Sequence, residues 1–166
     1  MLSLLRLITL GLVALSLSAC GTYRPLYGKG PDGLSVAGSL AGLSVEEQHS
    51  RAGQLLRNEL LDGAGTGQAR YALKLVVSER TMDVASLSSS SATRKRYNLS
   101  AHYELTDTRA GKMVTSGESF SNVEFDTLNI PVSDLTAADN ARSRAAKELG
   151  QDIKLRLAAF LSTQKG

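Results

Sequence analysis

Three groups of residues in this 166-residue chain could do chemistry: a lone thiol, two imidazoles and a run of cations. The thiol is Cys20, the single cysteine, at the end of Leu17-Ser18-Ala19-Cys20. It can act as a nucleophile or accept a modifying group, but it cannot close a disulfide within the chain. His49 and His102 have no cysteine nearby, and neither belongs to a His-Glu-x-x-His or nucleophile-elbow pattern. Ser88 to Ser91 reads as a solvated loop. The Gly-rich stretch from Gly63 to Gly67 lacks the Lys-Ser/Thr pair of a phosphate loop. No nucleophile–base pair can be assembled from these parts, so the inventory argues against an enzyme and calls for no metal or cofactor. The cations are Arg94-Lys95-Arg96, with Arg80 across the same polar stretch.

What precedes the thiol accounts for it. Met1 to Ser18 holds one charge, Arg6, then a run rich in Leu and Val, with Ser18 and Ala19 small. A short basic start, an apolar middle and small residues before a cut read as a secretory signal. The run is short of the ~20 apolar residues a membrane span requires. Leu-Ser-Ala-Cys resembles the lipobox of bacterial lipoproteins, where the Cys thiol takes a diacylglyceryl group and the new N-terminus is acylated. That resemblance implies a cleaved signal over residues 1–19 and a lipidated Cys20 as the mature N-terminus. Each buried acyl CH₂ contributes ~0.8 kcal/mol, so three chains anchor durably. The mature chain then works outside the cytoplasm without cross-links. Gly21 stands where inner-membrane lipoproteins of enteric bacteria carry Asp, which points to the outer membrane, on its periplasmic side.

Losing Arg6 with the signal leaves 18 basic against 16 acidic side chains, a mature charge of +2. That is not the footprint of a nucleic-acid binder, although the sequence pI is near 9.1. With five Tyr, three Phe and no Trp, the core must come from Leu, Val and Ala. The remaining chain is about one domain long.

The elements that would position these residues follow from periodicity. Residues 20–43 read as a lipidated tether and a weak first strand. Gly21 to Gly33 is too rich in Gly and Pro for a helix, and its Tyr23, Leu26 and Tyr27 suit a lipid headgroup layer, a partner, or the chain's own domain. Leu34 to Leu43 is strand-like but interrupted by Gly38 and Gly42. Residues 44–166 read as the folded domain. Ser44 and Glu47 fit a capping box before a helix with Ala52, Leu55, Leu56 and Leu60 on one face, stopping at Gly63. Tyr71 to Val77 alternates as a strand, and Arg80 to Thr93 reads as a long hairpin tip. Tyr97, Leu99, Ala101, Tyr103 and Leu105 alternate with polar residues. Asp107 to Gly111 is a turn, and Met113 to Phe125 a third strand bulged near Gly117. Thr136 caps a second helix with Ala141, Ala145, Leu149, Ile153, Leu157 and Phe160 along one side for roughly six turns. The expected fold class is α+β, a two-layer sandwich with two helices on a small, mainly antiparallel sheet in the order β-α-β-β-β-α. Two helices on one face would leave the other face open.

A hairpin brings Arg80, Arg94, Lys95 and Arg96 to one end. Taken singly, such charges protect a sheet edge. Together they read as an anion site for phosphates of a lipid or glycolipid headgroup, gripped by guanidinium forks.

The lipobox, the Gly-Thr-Tyr-Arg-Pro-Leu-Tyr-Gly tether and the helix–three strands–helix order resemble the lipopolysaccharide-assembly lipoproteins (LptE, or rare lipoprotein B). Ala138-Asp-Asn-Ala141 through Arg156-Leu157-Ala158 is similar to that family's C-terminal helix. The resemblance implies a plug for the large outer-membrane β-barrel (LptD-like) that delivers lipopolysaccharide, assisting the barrel's assembly and binding lipopolysaccharide. The rival expectations are a structural or adaptor lipoprotein without lipopolysaccharide binding, and a periplasmic carrier of small lipids. A carrier needs an apolar cavity, which a thin sandwich hardly offers.

Overall fold

Alternation builds one face of the sheet into a core. Leu73, Leu75, Tyr97, Leu99, Ala101, Tyr103, Leu105 and Val123 are buried, while their strand neighbours face outward. The computed structural model describes residues 40, 42–62, 69–86 and 93–163. The signal, Cys20, the tether, most of the 34–43 stretch, the Gly63 stop and the Ser-rich tip lie outside the described residues. The elements are β1 (Leu43–Val45), α1 (Arg51–Leu61), β2 (Tyr71–Ser86), β3 (Thr93–Asp107), β4 (Lys112–Thr127) and α2 (Pro131–Thr163). They form one four-stranded sheet in the order β1-β2-β3-β4. β1 runs parallel to β2, and the other pairs are antiparallel. This is the expected α+β arrangement. Leu99 and Leu149 are both fully buried, one from the middle strand and one from the long helix.

Several boundaries differ from the sequence reading, each for a local reason. Ser44 does not cap a helix. It sits within β1, its Oγ donating to the Tyr71 carbonyl at 3.2 Å, while Val45 is buried opposite Leu73. The cap of α1 is Ser50, whose Oγ accepts from Gly53 N at 3.0 Å. The long helix begins at Pro131, not beyond Thr136. Proline lacks the N–H that the first turn would leave unpaired, and Asp134 in that turn accepts from Leu128 N at 2.8 Å. Thr136 lies inside the helix, donating to the Val132 carbonyl at 2.9 Å. The bulge in β4 falls between the Leu105–Thr115 and Thr106–Met113 pairs, not at Gly117. Gly117 stands opposite Tyr103, where a Cβ would lie 2.5 Å from the phenol oxygen, so glycine makes room for that ring.

The largest difference is the length of the ladder. β2 continues through Arg80 to Ser86, paired to β3 down to Thr93 with a bulge between Asp83 and Ala85. Met82 and Val84 alternate with Thr81 and Asp83, but all four stay exposed, so cross-strand pairing and not burial holds this stretch. Fifteen steps of about 3.3 Å make the ladder roughly 50 Å long. Both helices pack on the same face, α2 over β3 and β4, and α1 against α2 beside β1 and β2. On the opposite, open face Val76 and Phe120 point to solvent, Phe120 being 66% exposed.

Candidate binding surface

The four cations singled out from the sequence lie near the far end of the β2–β3 ladder, within strands and not on a loop. Arg80 pairs in register with Asn98, and Arg96 and Arg94 follow at two-residue steps on β3, which sets all three on the open face. Lys95 falls on the opposite side. Each of the three neighbours carries a carboxylate partner. Arg94 donates through Nε and Nη2 to both oxygens of Asp126, at 2.9 and 3.3 Å. Arg96 donates to Glu124 Oε1 at 2.7 and 3.2 Å, and Lys95 Nζ lies 3.7 Å from Asp83. The Arg94 fork holds the Asp126 carboxyl below the usual carboxylate range, and the same pair raises the Arg94 guanidinium. Asn98 continues the row, donating to Asn122 at 2.7 Å. Arg80 has no carboxylate partner among the described residues. The expected knot of bare cations is thus a ladder of exposed cross-strand ion pairs with one arginine left over.

Beneath this ladder a second polar set ties α2 to the sheet. Tyr97 donates to Glu79, Arg142 Nε reaches the same carboxylate at 3.4 Å, and its guanidinium stands 5.7 Å from the Tyr97 ring centre. Burial first, then the bond to Glu79, pushes the Tyr97 phenol far above its ordinary range. Farther along, Ser121 donates to Glu148 at 2.7 Å and Ser119 to Asp152, which Arg156 also holds. These groups fasten a helix and leave no free base. His102 lies on the open face beside Glu104, at 3.6 Å, and His49 precedes α1 in an exposed segment and not on the helix. Among the described residues no group of His, Cys, Asp or Glu could hold a metal ion, and no helix is long and apolar enough to cross a membrane.

The same end of the molecule also exposes apolar side chains. Leu128, Ile130, Val132 and Leu135 are each more than half exposed, Val132 at 78%. They lie where β4 gives way to α2, next to the Thr93–Thr127 pair that closes the described ladder.

Neither a protein-family model nor a curated protein sequence matches this chain. Solved structures do. A Caulobacter crescentus protein described as a lipoprotein superposes with a TM-score of 0.66 at 27% identity, over 76% of this chain and 96% of that one. Rare lipoprotein B from Shewanella oneidensis superposes with a TM-score of 0.52 at 12% identity, over 76% and 98%. A minor lipoprotein from Acinetobacter baumannii gives 0.51 at 15%, over 70% and 90%. The fold is that of the rare lipoprotein B (LptE) family.

Within this rare lipoprotein B fold, reading the sequence missed the apolar end. A helix capped at Thr136 leaves Ile130, Val132 and Leu135 outside any element, whereas the helix begins at Pro131. The available signal was Pro131 followed three residues later by Asp134, a helix start that turns Val132 and Leu135 outward in the first turn.

Proposed function

We propose that this chain is an outer-membrane lipoprotein, anchored through Cys20, that partners and plugs the β-barrel which delivers lipopolysaccharide to the outer leaflet and assists that barrel's assembly. The observation that carries the reading is the apolar end. Leu128, Ile130, Val132 and Leu135 sit together in water on a chain whose fold is that of rare lipoprotein B, and a contiguous apolar patch marks an interaction surface. The ladder adds a dimensional argument. Its roughly 50 Å is close to the ~40–45 Å of a full bilayer, the depth a plug within a barrel must fill.

Lipopolysaccharide contact is assigned to Arg80, Arg94 and Arg96 on the open face, with Lys95 behind them. Arg80 is available directly, and Arg94 and Arg96 can exchange exposed carboxylates for phosphate. The pairing itself favours a second reading, an adaptor lipoprotein that binds the barrel but not lipopolysaccharide, because Arg94 and Arg96 already hold carboxylates.

Affinity capture of the tagged protein from detergent-solubilised outer membranes tests both. A large barrel should co-purify in one-to-one ratio, and its absence removes the plug reading. Arg94→Ala, Lys95→Ala and Arg96→Ala combined should leave folding and barrel capture intact, since exposed ion pairs add little stability. The same variant should weaken salt-sensitive lipopolysaccharide binding. Unchanged binding leaves the adaptor reading for the cation site.

A further inference from the structure

A cleft of about 320 Å³ opens at the other end of the sheet, walled by Arg70, Tyr71, Asp107, Lys112, Met113 and Phe160. Part of its lining is apolar: Met113 is 54% exposed, and the half-buried Phe160 packs against the core. Its rim is cationic. Arg70 stacks over Tyr71 at 5.2 Å and lies 3.7 Å from Asp107. Asp107 also attracts the nearby Arg109 of the β3–β4 turn, and Lys112 has no carboxylate partner among the described residues, so one carboxylate serves three positive charges.

The chain also enters the domain here. The Gly42 carbonyl accepts from Arg70 N at 2.9 Å and Tyr71 N at 3.3 Å, and the segment leading back to Cys20 joins just before it. That segment holds the cleft within a tether's length of any membrane in which Cys20 is anchored. Twenty residues span at most ~70 Å.

We infer that this cleft is a docking site for the anionic phospholipid surface of the membrane that holds the anchor, with Arg70, Arg109 and Lys112 on the phosphates and Met113 and Phe160 at the acyl boundary. The inference rests on the anchored reading above. Lipid phosphate supplies what the rim lacks, and the exposed Met113 and half-buried Phe160 suit the first acyl carbons. Tethering raises the effective concentration of the surface to the millimolar range, so a contact of three charges suffices.

The native chain has no Trp, so Met113→Trp provides a single fluorescent reporter at the cleft, and Ile130→Trp one at the far end. Lipidated protein is incorporated into vesicles of phosphatidylcholine alone or with phosphatidylglycerol, and incorporation is checked by flotation. The expected result is a blue shift at Met113→Trp that appears in the anionic vesicles, disappears in 0.5 M salt, and is lost when Arg109→Glu and Lys112→Glu are added. Ile130→Trp should not shift. Incorporation without a shift at position 113, or a shift at position 130 instead, overturns the docking site and leaves the anchor standing. Protein that lacks acyl chains and fails to float overturns the anchored reading and this inference with it.

Discussion

Asp107 closes the β3–β4 hairpin almost alone. Its Oδ1 accepts from Arg109 N at 2.8 Å and Ala110 N at 3.1 Å, while Gly111, at φ 62°, turns the chain back. The Ala110 bond, then that of Arg109, holds the carboxyl below its usual value. With the folded value depressed, the unfolded chain binds more protons between the two values. The contribution is therefore complete above the ordinary carboxylate range of ~3.9 and fades as pH falls through the folded value. Asp107→Ala should lower Tm at pH 7, and the gap to the native protein should close on acidification below that range. A gap that stays constant with pH would show that the turn, and not the charge, is what was lost. Residue types alone made this turn legible, since Asp followed by Gly four positions on is a local signal. The ion pairs of Arg94 and Arg96 were not legible. Their partners Asp126 and Glu124 come from another strand, and a one-residue slip in register would have sent them to the opposite face.

Among the elements, α2 depends on a residue with no side chain. A Cβ on Gly150 would lie 2.5 Å from Glu59 Cγ and 3.0 Å from Glu59 Cβ, where α1 crosses. Glu59 yields only by turning its Cγ away and giving up the 3.3 Å contact of its carboxylate with Lys154 Nζ, while its Cβ stays fixed to the backbone. Alanine at this position would recover ~1 kcal/mol of helix propensity against the clash. Valine recovers less and adds two methyl groups, so Gly150→Val should cost about 1–3 kcal/mol, read as a lower urea midpoint. An unchanged midpoint would mean that the helices separate freely at this crossing. The apolar stripes of both helices and the inward face of β3 were readable because burial imposes a period. Element lengths were not. Beyond Val77 in β2 and before Tyr97 in β3 the ladder buries little, so no buried stripe marks the strands while the pairing continues.

At the scale of the whole molecule, the three antiparallel strands are consecutive hairpins, whereas β1 is recruited from across α1. It contributes three paired residues, Leu43 to Val45, and its parallel direction could not be read from a stretch broken by glycine. Hairpins close short loops, and the crossover closes a longer one before gaining any contact. Native-state hydrogen exchange should accordingly find the β1 amides opening at lower free energy than those of Leu99 to Leu105 in β3. Equal protection would mean that the domain opens only as one unit. The chain that precedes Gly42 joins the fold at this same strand, and β1 runs in the direction of β2, toward the far end. Under the proposed anchoring at Cys20 and the proposed partner at the apolar end, tension between the two passes along β1 and strains its three residue pairs together, in shear. If they yield, β1 and α1 come away while the hairpins hold, lengthening the leash before the domain itself gives way.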